Sequence, residues 1–253
     1  MKNGQLSGRS VLITGASSGL GERFARICAR EGAAVTVGAR RVDRIEALAS
    51  RIVEDGGRAI AVPLDVTDEK TIVAAYDAAD QAFGRVDSVV ANAGIEISGP
   101  AVGIKADDFA QVFDVNVRGS FLTAREGARR MQEGGYGEAG RIVLISSITG
   151  KMRTPGIIPY SASKAAVSHM GAALAREWAR NGPNVNCISP GYINTEMTAD
   201  WFATEGGERQ KKSFPRRRLV DEDALDTVLL YLLSDAARNT TGADIAIDDG
   251  QSL

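Results

Sequence analysis

Short apolar runs alternate with amphipathic stretches along the first half of the chain. The apolar runs are SVLITG, AVTVGA, AIAVPLDV and VDSVVANAG. Between them, residues 20–31, 42–55 and 69–83 show helical spacing. Strands buried on both faces of a parallel sheet have continuous apolar sequences, and crossover helices join them. The pattern therefore predicts a doubly wound α/β fold.

The second half continues the alternation. A long helical stretch covers residues 109–131, and the strand RIVLISS, a helix opening at Tyr160 and the strand VNCISPG follow it. Without an internal repeat or a low-complexity linker, we expect one domain over residues 1–253, with a parallel seven-stranded sheet and helices on both faces. The segment 192–218 lacks apolar periodicity and is longer than a usual connection, so we interpret it as a substrate lid.

Composition narrows the possible partners. The 253 residues are 44% hydrophobic, enough for one sizeable core, and 30 Lys+Arg nearly balance 32 Asp+Glu. Such a chain has no overall field for nucleic acid or an anionic membrane, and the basic run at residues 216–218 is best interpreted as solvated surface. No apolar run is long enough for a membrane span or a signal peptide. We expect a cytoplasmic protein with a small-molecule partner.

Metal chemistry and hydrolysis by a Ser/His triad are both disfavoured. The chain has a single histidine, His169, and two cysteines, Cys28 and Cys187. These are too few for a zinc site or a disulfide framework, and ISSITG does not match the nucleophile elbow of hydrolases. We expect no metal site and two reduced, buried cysteines.

The stretch TGASSGLG, residues 14–21, lies between the first strand and the first helix. Glycines there let the backbone turn tightly and approach a ligand closely. The unpaired N–H groups and the dipole at a helix start favour an anion. The position predicts a site for the pyrophosphate of a dinucleotide, although the glycines do not spell G-x-G-x-x-G.

The stretch YSASK places Tyr160 and Lys164 four residues apart, on one face of a helix. A neighbouring ammonium lowers the pKa of a phenol, which would make Tyr160 usable as a general acid or base. The alternative is an incidental pair on a solvated helix face. Ser147, at the carboxyl end of a strand, could polarise a substrate oxygen, with Ser146 as the competing assignment.

Six motifs together carry a family resemblance. In addition to TGASSGLG and YSASK, they are NAG at residues 92–94, DVNVRG around Asn116, ISSITG around Ser147 and PGYINT at residues 190–195. In their order and spacing they resemble the short-chain dehydrogenase/reductases, over nearly the whole chain. One departure is DDGQS, where that family often has Asp-Gly-Gly. We expect it to affect C-terminal packing rather than chemistry.

The resemblance implies a Rossmann-type fold and roles for single residues. Asn116 would support a water that relays protons to Lys164, and Lys164 would also bind the nicotinamide ribose. Asp65 would hydrogen-bond the adenine, unless it serves only as a helix cap or turn residue. The full set of implied cofactor contacts is Gly15, Ser17, Gly19, Leu20, Arg40, Asp65, Val66, Asn92, Gly94, Tyr160, Lys164, Pro190, Ile193 and Thr195.

These motifs do not identify the substrate. The candidate pocket walls are mostly apolar and suggest a hydrophobic or aromatic ketone, although a charged member could face solvent. These candidates are Glu96, Met152, Ile157, Tyr192, Met197 and Trp201. The resemblance also implies a homodimer or homotetramer built through the helices at residues 109–131 and 160–181.

The end of the second strand indicates the cofactor. An acidic residue there binds the adenosine ribose of NAD, but this chain has Ala39, followed by Arg40 and Arg41. An arginine suits the extra phosphate of NADP, and we assign that role to Arg40, while Arg41 could equally face solvent. We therefore expect NADP(H).

These observations lead to one preferred function and several alternatives. The preferred one is an NADP-dependent carbonyl reductase that also works in reverse as an alcohol dehydrogenase. Another reaction of the superfamily is the first alternative, such as 3-oxoacyl reduction, dehydration or NAD-dependent alcohol oxidation. The Tyr-x-x-x-Lys spacing argues against enoyl reduction. A non-catalytic NADP sensor is the last alternative, disfavoured because all four catalytic residue types are present.

Overall fold

The computed structural model describes residues 4–195 and 198–253. Within them, seven strands form one sheet in the order β3-β2-β1-β4-β5-β6-β7, and every neighbouring pair is parallel. This confirms the predicted doubly wound, seven-stranded fold. The strands are β1 (Ser10–Thr14), β2 (Ala34–Ala39), β3 (Arg58–Pro63), β4 (Ser88–Ala91), β5 (Arg141–Ile145), β6 (Asn184–Pro190) and β7 (Asp244–Ile247).

Helices connect the strands and cover both faces of the sheet. They are α1 (Gly19–Arg30), α2 (Val42–Glu54), α3 (Glu69–Phe83), α4 (Ala106–Phe113), α5 (Gly119–Glu133), α6 (Ile158–Trp178), α7 (Ala199–Phe202), α8 (Glu205–Ser213) and α9 (Asp226–Leu233). The first three agree with the predicted stretches to within about one residue at each end. Helix α6 begins two residues before Tyr160, with Pro159 in its first turn, where its missing N–H is not needed.

The core lies on both sides of the sheet because successive side chains of a strand point to opposite faces. In β1, Val11 and Ile13 pack on the side of α1, α2 and α9, while Leu12 packs on the side of α3, α5 and α6. In β5, Val143 follows the first pattern and Leu144 the second. The continuous apolar runs in the sequence reflect this burial on two faces.

The long helix predicted over residues 109–131 is interrupted. Helix α4 ends at Phe113, a π-helical turn covers Asp114–Arg118, and α5 begins at Gly119. The hydroxyl of Ser120 donates a hydrogen bond of 2.7 Å to the backbone oxygen of Asn116 inside this turn. A π turn holds one residue more than an α turn and occurs frequently at functional sites. Asn116, in its middle, is fully buried.

The segment 192–218 contains more structure than the sequence indicated. It includes α7 and α8, and the Thr204 side chain caps α8 by accepting a hydrogen bond from the N–H of Gly207. The two ends of the segment meet, since Ile193 forms a parallel bridge with Val220. Helix α8, EGGERQKKS, is polar on every side, so apolar periodicity could not reveal it. The lid function of the segment stays a prediction.

The two cysteines and the single histidine lie in different environments. Cys28 and Cys187 are buried and unpaired, and burial raises the pKa of Cys187 to about 12. His169 is exposed on α6. Among residues 4–195 and 198–253, no three potential ligand side chains gather around a metal position. In the same residues, no helix combines the length and apolarity that a membrane crossing requires.

Candidate active site

A cleft of about 450 Å³ runs along the carboxyl edge of the sheet. It spans the gap between β1 and β4, where the strand order reverses, which is the usual ligand position in open α/β sheets. Its volume lies in the range of small-molecule sites. Its lining includes all of the predicted cofactor contacts, namely Gly15, Ser17, Gly19, Leu20, Arg40, Asp65, Val66, Asn92, Gly94, Tyr160, Lys164, Pro190, Ile193 and Thr195.

The loop after β1 is shaped for close approach of a ligand. Gly15 and Gly19 adopt left-handed conformations with φ of 68° and 54°. A Cβ on Gly15 would lie 2.8 Å from the Cα of Ala93, so only glycine fits there. Ser18 caps α1 without a side-chain hydrogen bond, and the first turn of the helix borders the cleft. This arrangement fits a pyrophosphate at the start of α1.

Two side chains from other segments of the chain hold this loop in place. Asn92, after β4, donates through Nδ2 to the backbone oxygens of Thr14 and Gly15, at 3.0 and 3.3 Å. Arg41, after β2, donates from Nε to the hydroxyl of Ser17 at 3.0 Å and from a terminal nitrogen to that of Ser18 at 2.6 Å. From the sequence, Arg41 could equally contact the cofactor or face solvent. In the structure its guanidinium contacts the loop after β1, and the residue lines the cleft.

Another part of the cleft is lined by residues that directly follow β2 and β3. Ala39 is buried, and Arg40 after it is exposed and borders the cleft. Asp65 accepts hydrogen bonds from the N–H and the hydroxyl of Thr67, at 3.0 and 2.8 Å. The Thr67 N–H is the largest cause that lowers the pKa of Asp65, and the charge of Arg40 adds to it. Asp65 is therefore a turn residue that also borders the cleft.

Tyr160 and Lys164 project from the start of α6 towards the middle of the cleft. The Nζ of Lys164 lies 5.5 Å from the centre of the Tyr160 ring and donates a 2.8 Å hydrogen bond to the backbone oxygen of Ile145. Lys164 is only 4% exposed, while Tyr160 is half-buried. The pair therefore does not lie on a solvated helix face, which was the alternative interpretation of YSASK.

The pKa of Tyr160 differs from the expectation. Burial raises it above the ordinary value, Glu96 raises it further, and a hydrogen bond with Ser147 lowers it. Burial also lowers the pKa of Lys164 to about 8. The pKa of Tyr160 is thus raised overall, and the expectation of a net lowering is wrong for this structure. Desolvation outweighs the ammonium, which lies over the ring and is bonded to a carbonyl oxygen rather than to the hydroxyl.

The two adjacent serines face different partners. Ser146 donates to the backbone oxygen of Lys164 at 2.8 Å and lies 2.7 Å from the hydroxyl of Ser168, so it is engaged with α6. The Oγ of Ser147 instead accepts from the N–H and the hydroxyl of Thr149, at 3.2 and 3.0 Å. Because both acceptor positions of Ser147 are used, its own O–H is left to donate.

The amide of Asn116, in the π turn, is hydrogen-bonded to the loop after β4 and to α6. Its Oδ1 accepts from the N–H of Ile95 at 2.8 Å, and its Nδ2 donates to the Ile95 oxygen and the Ser163 hydroxyl, both at 2.9 Å. A Cβ on Gly94 would lie 3.4 Å from both Asn116 Oδ1 and Lys164 Nζ. Asn116 therefore fixes the loop after β4 against α6, close to Lys164.

The predicted substrate residues are only partly brought together. Glu96 and Tyr192 directly follow Ile95 and Gly191, which line the cleft, and both contribute to the raised pKa of Tyr160. Met152 and Ile157 are half-buried in the loop before α6. Trp201 is 49% exposed and donates to Gln210 of α8. Met197 lies outside the described residues.

Sequence reasoning missed Gln251. It is 4% exposed, and its Oε1 accepts from the N–H of Tyr192 at 2.7 Å. Its Nε2 donates to the backbone oxygens of Tyr192 and Arg218, at 3.3 and 3.2 Å. Its signal was the departure DDGQS, which we assigned to packing alone. The side chain in fact ties the C-terminal turn to the wall of the site.

Comparisons with known proteins identify relatives that match nearly the whole chain. The short chain dehydrogenase family profile matches residues 9–206. The chain is 36% identical to the A-factor type gamma-butyrolactone 1'-reductase (1S-forming) of Streptomyces virginiae, over 100% of this chain and 98% of the relative. It is 33% identical to D-threitol dehydrogenase of Mycolicibacterium smegmatis, over 98% of this chain and 95% of the relative.

A solved structure gives the same result for the fold. The chain resembles the crystal structure of a putative NAD(P) dependent gluconate 5-dehydrogenase from Beutenbergia cavernae, which holds NADP at low occupancy. The TM-score is 0.90 at 33% identity, and the match covers 98% of each chain.

Proposed function

Because the chain belongs to the short-chain dehydrogenase family, we propose that it is an NADP-dependent oxidoreductase that interconverts a ketone and a secondary alcohol. One observation carries the proposal: Ser147, Tyr160 and Lys164 border the same cleft as the glycine loop after β1 and Arg40 after β2. When bound, NADPH supplies a hydride, which brings two electrons to the carbonyl carbon.

The residues of this chain supply the proton and the polarisation. As the carbonyl π bond breaks, Tyr160 donates its proton to the oxygen, and it accepts the proton in the oxidative direction. Ser147 donates its O–H to the same oxygen, since Thr149 already occupies its acceptor positions. Both groups thus stabilise negative charge on the oxygen as it develops.

Lys164 supports Tyr160 and the cofactor. With a pKa of about 8 it is mostly protonated at neutral pH, so an ammonium stands beside the tyrosinate that forms when the proton leaves. The same ammonium would bind the nicotinamide ribose. We assign Asn116 to a relay that returns protons to Lys164, in line with its place beside Gly94.

The cofactor preference follows from charge where the cleft borders the end of β2. Ala39 leaves no carboxylate at the end of β2, and Arg40 borders the cleft there. An arginine can bind the 2′-phosphate of NADP, which a carboxylate would repel. Arg41 bonds to Ser17 and Ser18 and so holds the phosphate loop, which would serve the pyrophosphate of either cofactor. Bound NADP in the gluconate 5-dehydrogenase relative is consistent with this choice.

The test is NADPH oxidation followed by absorbance with a panel of ketones, for the wild type and Tyr160→Phe. We expect turnover to fall by at least about a hundredfold in the variant, the scale of general acid catalysis, while NADPH still binds. Tyr231→Phe, on the exposed side of α9, is the matched control. NADPH binding without oxidation by any ketone would instead support the sensor alternative.

We further propose a cytoplasmic homodimer or homotetramer that assembles through α5 and α6. The exposed positions of α6 include the small residues Ala165, Ala172 and Ala173, which would let a second helix approach closely. Sedimentation at micromolar concentration tests this, and a monomer would contradict it.

A further inference from the structure

The hydroxyl of Tyr192 is buried, and no described residue forms a hydrogen bond with it. Buried tyrosine hydroxyls usually have a partner, because an unpaired hydroxyl away from water costs free energy. Tyr192 follows the carboxyl end of β6, on the edge of the sheet that carries Tyr160 and Ser147. A buried hydroxyl without a partner among the described residues, at such a site, is suited to a partner that arrives with the substrate.

Backbone hydrogen bonds and ring contacts of Tyr192 fix the position of its hydroxyl. Gln251 binds both the N–H and the backbone oxygen of Tyr192, and Val220 donates to the same oxygen at 2.9 Å. The ring stacks on Phe214 at 5.6 Å and meets Phe202 edge-on at 5.5 Å. A group held in this way is preorganised for one interaction geometry.

Glu96 lies in the loop after β4, directly after Ile95, which lines the cleft. Asn116 ties Ile95 to Ser163 of α6, three residues after Tyr160. Tyr192 stands between Gly191 and Ile193, which also line the cleft. After the larger effect of burial, Glu96 and Tyr192 also contribute to the raised pKa of Tyr160. The carboxylate accepts one hydrogen bond in the structure, from the hydroxyl of Ser98 at 2.7 Å. An ionised carboxylate only accepts hydrogen bonds, so it selects a donor on the substrate and repels an anion.

We propose that Tyr192 and Glu96 form a polar subsite beside Tyr160 for a hydroxyl group next to the reacting carbonyl. This rests on the proposed function and specifies its substrate class. The substrate is then a neutral hydroxyketone, or a vicinal diol in the oxidative direction. The phenol hydroxyl can donate to or accept from the substrate hydroxyl, while Glu96 accepts from it. This class differs from the hydrophobic or aromatic ketone that the mostly apolar pocket candidates suggest.

The test compares acetoin with butanone, which differ only by a hydroxyl on the carbon next to the carbonyl. The probe for an anion is α-ketobutyrate. We expect the wild type to prefer acetoin by kcat/KM. In Tyr192→Phe, kcat/KM for acetoin should fall about threefold to tenfold, as for the loss of one neutral hydrogen bond, while butanone stays within about twofold. Glu96→Gln should improve α-ketobutyrate relative to acetoin.

A second measurement does not depend on turnover. Phenylalanine keeps the ring contacts with Phe202 and Phe214 and removes only the unpaired hydroxyl, so Tyr192→Phe should have a Tm equal to or above that of the wild type. Acetoin in the presence of NADP should raise the Tm of the wild type more than that of Tyr192→Phe. Tyr231→Phe, whose hydroxyl bonds to Thr240 on the surface, is the control for loss of a tyrosine hydroxyl.

Three outcomes would overturn the subsite. They are an equal loss on acetoin and butanone in Tyr192→Phe, a wild-type preference for butanone, and a lower Tm in Tyr192→Phe. The last would mean that the hydroxyl already has a partner, such as an ordered water. If the wild type reduces no ketone, the proposed function fails, and the acetoin-dependent Tm still decides whether the subsite exists.

Discussion

The ammonium of Lys164 should destabilise the folded protein at neutral pH. Burial lowers its pKa from the ordinary 10.5 to about 8. Each pH unit corresponds to about 1.4 kcal/mol, so the buried charge costs about 3 kcal/mol at pH 7. Lys164→Met removes the charge and keeps an unbranched side chain, but it also removes the hydrogen bond to the Ile145 oxygen. We expect the variant to be more stable by about 1 to 2 kcal/mol.

The pH dependence of this difference has a definite sign. Because the pKa is lower in the folded state, the unfolded chain binds more protons between the two pKa values. The free energy of unfolding of the wild type should therefore rise, relative to the variant, as the pH increases from about 8 to 10.5. The advantage of Lys164→Met at pH 7 should shrink or reverse by about pH 10.

Urea unfolding of both proteins without cofactor, at about pH 7 and about pH 10, measures these differences. Lys212→Met, which replaces an exposed lysine of α8, is the matched control and should show no such crossing. A variant that is less stable than the wild type by the same amount at both pH values would refute the reasoning. The same substitution should abolish most turnover and weaken NADPH binding, because Lys164 has both roles in the proposed mechanism.

Further predictions concern the cofactor, the substrate wall and pH. Ala39→Asp should reverse the preference for NADPH over NADH in kcat/KM. Arg40→Ala should reduce that preference, chiefly by raising the KM for NADPH. A wild type that uses NADH equally well would contradict both predictions. Gln251→Leu leaves the Tyr192 N–H unpaired, so it should raise the ketone KM and reduce stability by about 1 to 3 kcal/mol; an unchanged urea midpoint would contradict this. Reductive turnover should decline above about pH 8 as Lys164 loses its proton, whereas a flat profile up to about pH 10 would exclude its charge from the mechanism.

The strands and the main cofactor loop could be predicted because their signals are local. Continuous apolar runs report burial on both faces, and the glycines of residues 14–21 report a tight turn before a helix. The spacing of Tyr160 and Lys164 likewise fixes their common face once a helix is expected. Each of these inferences needs only neighbouring residues.

The features that were missed depend on contacts between distant residues. Helix α8 has no apolar stripe, and the Thr204 cap, the Trp201–Gln210 hydrogen bond and the packing of Phe214 on Tyr192 hold it in place. The pKa of Tyr160 depends on how deeply the finished fold buries it, which no spacing reveals. The role of Gln251 requires the C-terminal turn to meet residues far away in sequence.

Because of the π turn at Asp114–Arg118, the position of Asn116 depends on the exact number of residues between α4 and α5. Each residue of an α-helix turns the chain by about 100°, so deleting one residue here would let α4 and α5 join in regular register. The wide turn absorbs the extra residue, so the faces of α4 and α5 would stay aligned, but the amide of Asn116 would turn away from Ile95. A single-residue deletion at this turn would therefore damage the active site as much as the loss of a catalytic side chain, although every functional residue would still be present.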